Sequence, residues 1–304
     1  MNTTTHTRRE FLKTSTATLA FAALGPSTFA ADEKASAKAP MKKAIMWGTV
    51  GVKGTTLEKM KAVKAAGFDG AEMNSHMDQD EVLRARDETG LEIPSVCGKL
   101  HWKMPLSDPD PKVRAEGLEG LKQCLRDAKH YGAGSILLVS GKAGKDTRYE
   151  ECWARSIAEI RKAIPLAEEL GVKISIENVW NDFITKEAEA LRYLEEINSP
   201  WVKWHFDCGN IIRYGDPIDW IKKLGPHISR VHVKEYSLDR AMRSGKPGDG
   251  FDVPLLEGAN NWKGIMKALR EVGYEGYLIT EQPGGGSPEG LKDLCQRLEK
   301  IVAL

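Results

Sequence analysis

Gly171-Val-Lys-Ile-Ser-Ile-Glu177, then Glu187-Ala-Glu-Ala-Leu-Arg-Tyr-Leu-Glu-Glu-Ile197, then Val202-Lys-Trp-His-Phe206 with Asp207, is the stretch on which the fold turns. A short β-branched run ends in a carboxylate. An amphipathic segment follows, with apolar residues at three- and four-residue steps, and a second apolar run ends in another carboxylate. This is a βα unit beginning to repeat. Working outward, eight runs of the first kind are present: 44–47, 70–73, 92–96, 135–139, 173–177, 202–206, 230–234 and 277–281. Helical stretches lie between them, among them 57–66, 118–131, 153–170, 187–197 and 262–272. Gly67, Gly90, Gly132, Gly171 and Gly273 each stand between a helix and the next strand, where a left-handed residue ends a helix well. No glycine-rich phosphate fingerprint follows a strand, and Gly284-Gly285-Gly286 reads as a mobile loop. Eight units over residues 41–304 predict an α/β fold, a single-domain (β/α)8 TIM barrel.

The rest of the chain sets the context. Thr7-Arg8-Arg9-Glu10-Phe11-Leu12-Lys13 leads into an uncharged stretch from Thr14 to Gly25 and small residues around Ala30. Residues 1–30 therefore read as a removable export signal, similar to the twin-arginine type, and 31–40 as a short flexible tether. The expected location is periplasmic, or otherwise exported by that route, with no membrane association once the signal is gone. The chain holds 44 basic and 43 acidic residues. That balance argues against nucleic acid as the main partner. Cys97, Cys124, Cys152, Cys208 and Cys295 are odd in number and lack a CxxC spacing, so buried free thiols are expected.

In a (β/α)8 barrel the chemistry sits where the strands end at their C-terminal side. Glu177 closes the fifth run, Asp207 follows the sixth, His232 lies in the seventh and Glu281 closes the eighth. Burying a charge among apolar neighbours is costly unless it has a partner. Three carboxylates and an imidazole at one mouth form a hard donor set that suits one divalent metal, Mn²⁺ first, with Mg²⁺, Co²⁺ or Zn²⁺ as alternatives. Strand alternation also turns His205 and Lys234 toward the interior. Lys234 either polarises a substrate oxygen or balances the acidic cluster. His205, Asn178, Asn210, His101 and Glu72 are candidate substrate contacts, joined by Lys99 and Trp102 on the first half of the barrel and by Trp47 and Trp180 for a sugar's apolar face.

Ile176-Glu-Asn178, Phe206-Asp-Cys-Gly-Asn210, Val231-His-Val-Lys-Glu235 and Ile279-Thr-Glu281 resemble the metal-binding strand ends of the sugar phosphate isomerase/epimerase family, the xylose-isomerase-like barrels. The resemblance runs from Met41 to the C-terminus and implies that Glu177 and Glu281 bind metal and also form the catalytic proton-transfer pair. Removing the proton beside a sugar carbonyl gives an enediolate. Its reprotonation inverts a carbon or interconverts ketose and aldose. The ketohexose 3-epimerases of the family carry a histidine and an arginine where this chain has Asn210 and Leu238. With the export signal, this shifts the expected substrate toward an unphosphorylated sugar or sugar derivative, with Arg240 or Arg243 as substitutes for the missing arginine. The 245–250 segment reads as a lid or an ordinary surface loop. Alternatives are β-elimination on 3-keto-glycosides and a non-catalytic sugar-binding barrel. A related endonuclease with three zinc ions needs more histidines and a positive surface. A homo-oligomer is compatible with the sequence.

Overall fold

The computed structural model describes residues 41–304, so the expected signal and tether lie outside the described residues. Eight parallel strands close on themselves in sequence order: β1 (Lys42–Met46), β2 (Gly70–Asn74), β3 (Val96–Cys97), β4 (Ser135–Leu138), β5 (Lys173–Glu177), β6 (Val202–Asp207), β7 (Ile228–Val233) and β8 (Tyr277–Thr280). Closure is made by β1 against β8, with Ala44 opposite Ile279. Around them run α1 (Thr56–Ala65), α2 (Gln79–Thr89), α3 (Pro111–Tyr131), α4 (Tyr149–Leu170), α5 (Glu187–Ile197), α6 (Cys208–Ile211), α7 (Pro217–Leu224), α8 (Leu238–Ser244), α9 (Trp262–Glu271) and α10 (Pro288–Val302). No helix among the described residues is long and apolar enough to cross a membrane.

Local chemistry explains the boundaries. Thr55 caps α1 in a reciprocal box with Glu58. Asp110 caps α3 with Pro111 in its first turn, so this helix begins well before Leu118, where its apolar periodicity starts. Gly90, Gly132 and Gly171 end α2, α3 and α4 at φ 63°, 80° and 67°, the left-handed geometry their positions required. The core fills the layer between strands and helices, with Ile45, Phe68, Met73, Leu125, Ile174, Trp204 and Leu278 essentially inaccessible.

Three expectations change. The third strand is short, Val96–Cys97 rather than 92–96, because Pro94 cannot donate to a ladder. The Pro94 carbonyl instead accepts from Arg230 Nε (3.0 Å) and Nη2 (2.7 Å), which ties β7 across the floor of the barrel. Residues 238–251 are not open loop but α8 and a 3₁₀ turn at Pro247–Phe251. The triple glycine is fastened as well: Gly51 N–H donates to Gly285 O at 2.8 Å, and a Cβ on residue 285 would meet Thr49 O at 2.4 Å.

Candidate active site

Register brings the ends of β5 to β8 to one height. Asp207 lies opposite His232, and His232 opposite Ile279, two residues before Glu281. One donor atom from each of Glu177, Asp207, His232 and Glu281 falls within 4.8 Å of all the others. His232 Nδ1 is 2.9 Å from Glu177 Oε1, 3.1 Å from Glu281 Oε2 and 4.0 Å from Asp207 Oδ2. Lys234 Nζ joins from above, 2.9 Å from Glu281 Oε2 and 3.7 Å from Asp207 Oδ2. Behind Asp207 the backbone is compressed: a Cβ on residue 209 would stand 2.5 Å from the Lys234 carbonyl oxygen, so only glycine lets the chain turn there.

The electrostatics are those of crowded, buried charge. Burial pushes Asp207 up to about 7, with Lys234 pulling against that rise. Glu177 is also raised by burial. Glu281 is buried too, but Lys234 and His232 outweigh the burial and hold it ionised well below the usual carboxylate range. Burial alone would keep His232 neutral; Glu72, Glu177 and Glu281 overcome it and favour the protonated ring. Asp207 Oδ2 is fully buried with no hydrogen-bond partner among the described residues. Buried polar oxygens are rarely left so. An orphaned carboxylate oxygen among two more carboxylates and an imidazole nitrogen fits a divalent cation, which these four residues would hold.

Around the four-residue cluster the expected site residues divide into four groups. Glu177, Lys234, Glu281, Asn210 and His101, with Lys99, Trp102 and Trp180, line a cavity of about 430 Å³ directly over the cluster. His101 is pushed down to about 4 by burial, and its Nδ1 accepts from Val139 N–H at 3.1 Å, so Nε2 carries the hydrogen. Asn178 is spent within the protein. Its Oδ1 accepts from Asp207 N–H and from Trp204 Nε1–H, both at 3.0 Å, and its Nδ2 donates to Asp207 O at 2.8 Å. It therefore clamps the Asp207 end to β5. Glu72 and His205 sit one layer deeper, buried under His232 and away from the cavity wall. Trp47 is buried outside the cavity beneath Lys59, and Arg240 and Arg243 are paired on the surface with Asp252 and Asp239.

Several residues of the site carry no mark in the strand pattern. Phe251 roofs the cavity, its ring 4.8 Å from Trp180 and 4.9 Å from Lys234 Nζ. Gln282 holds that roof: Nε2 donates to Phe251 O (2.7 Å) and Val253 O, and Oε1 accepts from Glu235 N–H (2.6 Å). The buried Glu235 carboxylate accepts from Leu256 N–H, Asn260 N–H and Trp262 Nε1–H at 2.9, 3.1 and 2.7 Å. The available signal was position, since each directly follows a residue of the cluster, Glu281 or Lys234. The five cysteines are buried free thiols.

A family model described as the xylose isomerase-like TIM barrel matches residues 60–301. L-ribulose-5-phosphate 3-epimerase UlaE of Escherichia coli is 29% identical over 242 residues, 73% of this chain and 81% of its own. The crystal structure of E. coli 3-keto-D-glucoside 4-epimerase, YcjR, superposes with TM-score 0.72 at 18% identity, covering 87% of this chain and all of that one. IOLI protein with a binding zinc atom superposes equally well, at 17% identity over 86% of this chain and 98% of its own.

Proposed function

The chain belongs to the xylose isomerase-like TIM barrel family, and from that premise we propose that it is a divalent-metal-dependent isomerase or epimerase acting on a sugar or sugar derivative. The observation that carries this reading is the convergence of Glu177, Asp207, His232 and Glu281 at the floor of a cavity. The epimerases named among the similar proteins support it.

Glu177 and Glu281 are the proton-transfer pair. One removes the proton beside the substrate carbonyl, and the other returns a proton to the same carbon or the adjacent one. Lys234 keeps Glu281 ionised and presents an N–H to the cavity. His101 Nε2–H and the amide of Asn210 are placed to receive hydroxyl groups, and Trp180 and Phe251 to exclude water from one face. Glu177, Asp207, His232 and Glu281 would hold a divalent cation, Mn²⁺ in this proposal, which would supply positive charge where the oxyanion develops. IOLI protein, of the same fold, is named with a binding zinc atom, which is in keeping with a metal-binding reading.

Export by a twin-arginine signal belongs to the same proposal and rests on Arg8-Arg9 and the uncharged stretch after them. It favours an unphosphorylated substrate, although the curated relative acts on a sugar phosphate. The decisive experiment incubates metal-loaded protein in deuterated water with ketoses, their phosphate esters and 3-keto-glycosides. Deuterium at the reacting carbon with the skeleton intact is expected. Bond cleavage instead would identify β-elimination by the same glutamates. Glu177→Gln is expected to lower turnover roughly 10²–10⁴-fold while sugar still binds; full activity in that variant would sink the enzyme reading.

A further inference from the structure

Glu72 is a fully buried carboxylate that touches neither the cavity nor any lysine or arginine among the described residues. Its ion-pair partners are two imidazoles: His232 Nε2 at 2.8 Å from Oε2 and His205 Nδ1 at 3.9 Å from Oε1. Ser95 Oγ–H, from the segment before β3, donates to Oε1. A charge held this deep without a strong cationic partner is costly and needs a compensating interaction.

The compensation lies on the far side of His232. An ionised carboxylate only accepts, so the 2.8 Å contact requires the hydrogen on Nε2. The other ring nitrogen, Nδ1, faces Glu177, Glu281 and Asp207 and by the same rule carries a hydrogen against Glu177, which a bound cation would displace. The His205 ring packs edge-on against His232, centroids 4.2 Å apart and planes at 72°, and closes off rotation of that ring. β2 and β6 thus meet on the imidazole of β7, while Ser95 holds the Glu72 carboxylate from behind.

We propose that Glu72 is the positioning residue of the metal centre: by accepting from Nε2–H it fixes the tautomer and rotation of His232, so that Nδ1 is presented as a metal donor of raised basicity. This rests on the metal reading of the four-residue cluster. Glu72 acts through His232 and touches no substrate.

The test measures Mn²⁺ affinity by calorimetry or chelator competition on purified protein. Glu72→Gln keeps the shape and an acceptor but removes the charge; Glu72→Leu removes both. Affinity is expected to fall about 10-fold in the first and about 100-fold in the second, the range typical of such outer partners. At saturating Mn²⁺, kcat of the Gln variant should return to within a few-fold of wild type with KM for sugar unchanged, as expected of a residue that acts on the metal alone. If the Leu variant fails to fold, the Gln variant decides. Wild-type affinity in a folded Gln variant would overturn the proposal. Wild-type protein that takes up no Mn²⁺ would instead overturn the metal reading beneath it.

Discussion

The two halves of the barrel mouth share a backbone geometry and differ in chemistry. Strands β5 to β8 place Glu177, Asp207, His232 and Glu281 at or beside their ends, under and along the cavity; strands β1 to β4 bring Met46, Asn74, Cys97 and Leu137 to its wall. One half concentrates ionisable groups so tightly that Asp207 is driven up to about 7 by burial. The other offers no charge at its strand ends. On the proposed function the contrast divides the work: the charged strand ends would transfer protons and hold a cation, while the other half would wall off water and strengthen the electrostatic interactions inside.

Exchanging one residue on each side sharpens the contrast most. Asp207→Asn is expected to weaken Mn²⁺ binding by more than the ~100-fold that outer partners are worth, because it replaces a direct donor. Leu137→Ala, on the opposite wall, should leave Mn²⁺ affinity as it is and cost about 2–5 kcal/mol of folding stability, read from urea unfolding. If both variants lose metal equally, the division of labour is wrong.

The third prediction follows from His101 on the uncharged side. Its folded value of about 4 lies below the ordinary 6.5, because burial disfavours the charged ring. The unfolded chain therefore takes up its proton first as pH falls. The contribution is full above pH 6.5 and is lost between 6.5 and 4, at most roughly 3–4 kcal/mol at ~1.4 kcal/mol per unit. His101→Gln should remove that part of the pH slope in unfolding titrations between pH 7 and 4. Trp102, 52% exposed at the rim, closes the series. Trp102→Ala should raise KM a few-fold and change stability by less than about 0.5 kcal/mol, measurable by steady-state kinetics and thermal melting.

Much of this was legible because strand ends announce themselves. Glu177, Asp207 and Glu281 each break an apolar run, and the helix-ending glycines fix the phase of the repeat. Glu72 shows where the reading fails. Taken as a strand end, it belongs at the mouth with the substrate contacts, but β2 continues to Asn74. Two residues of strand place Asn74 on the cavity wall and Glu72 one layer down, because alternate residues share a face at successive depths. Asn178 was invisible for another reason: its partners are the backbone of Asp207 and the Trp204 indole, 26 to 29 positions later, a pairing that only the β5–β6 register reveals. Phe251 and its anchor Gln282 lie on a connection that has no period to read.

Gln282 and Glu235 give the roof a consequence for redesign. Each sits one residue past a member of the charged cluster, and between them they hold Phe251, Val253, Leu256, Asn260 and Trp262 by direct hydrogen bonds. The segment that shapes the substrate's ceiling is thus portable only with its two fasteners. A graft of residues 247–262 onto a sister barrel should be inherited as one cassette with positions 235 and 282, and exchanged without them it would retune the reaction centre along with the ceiling.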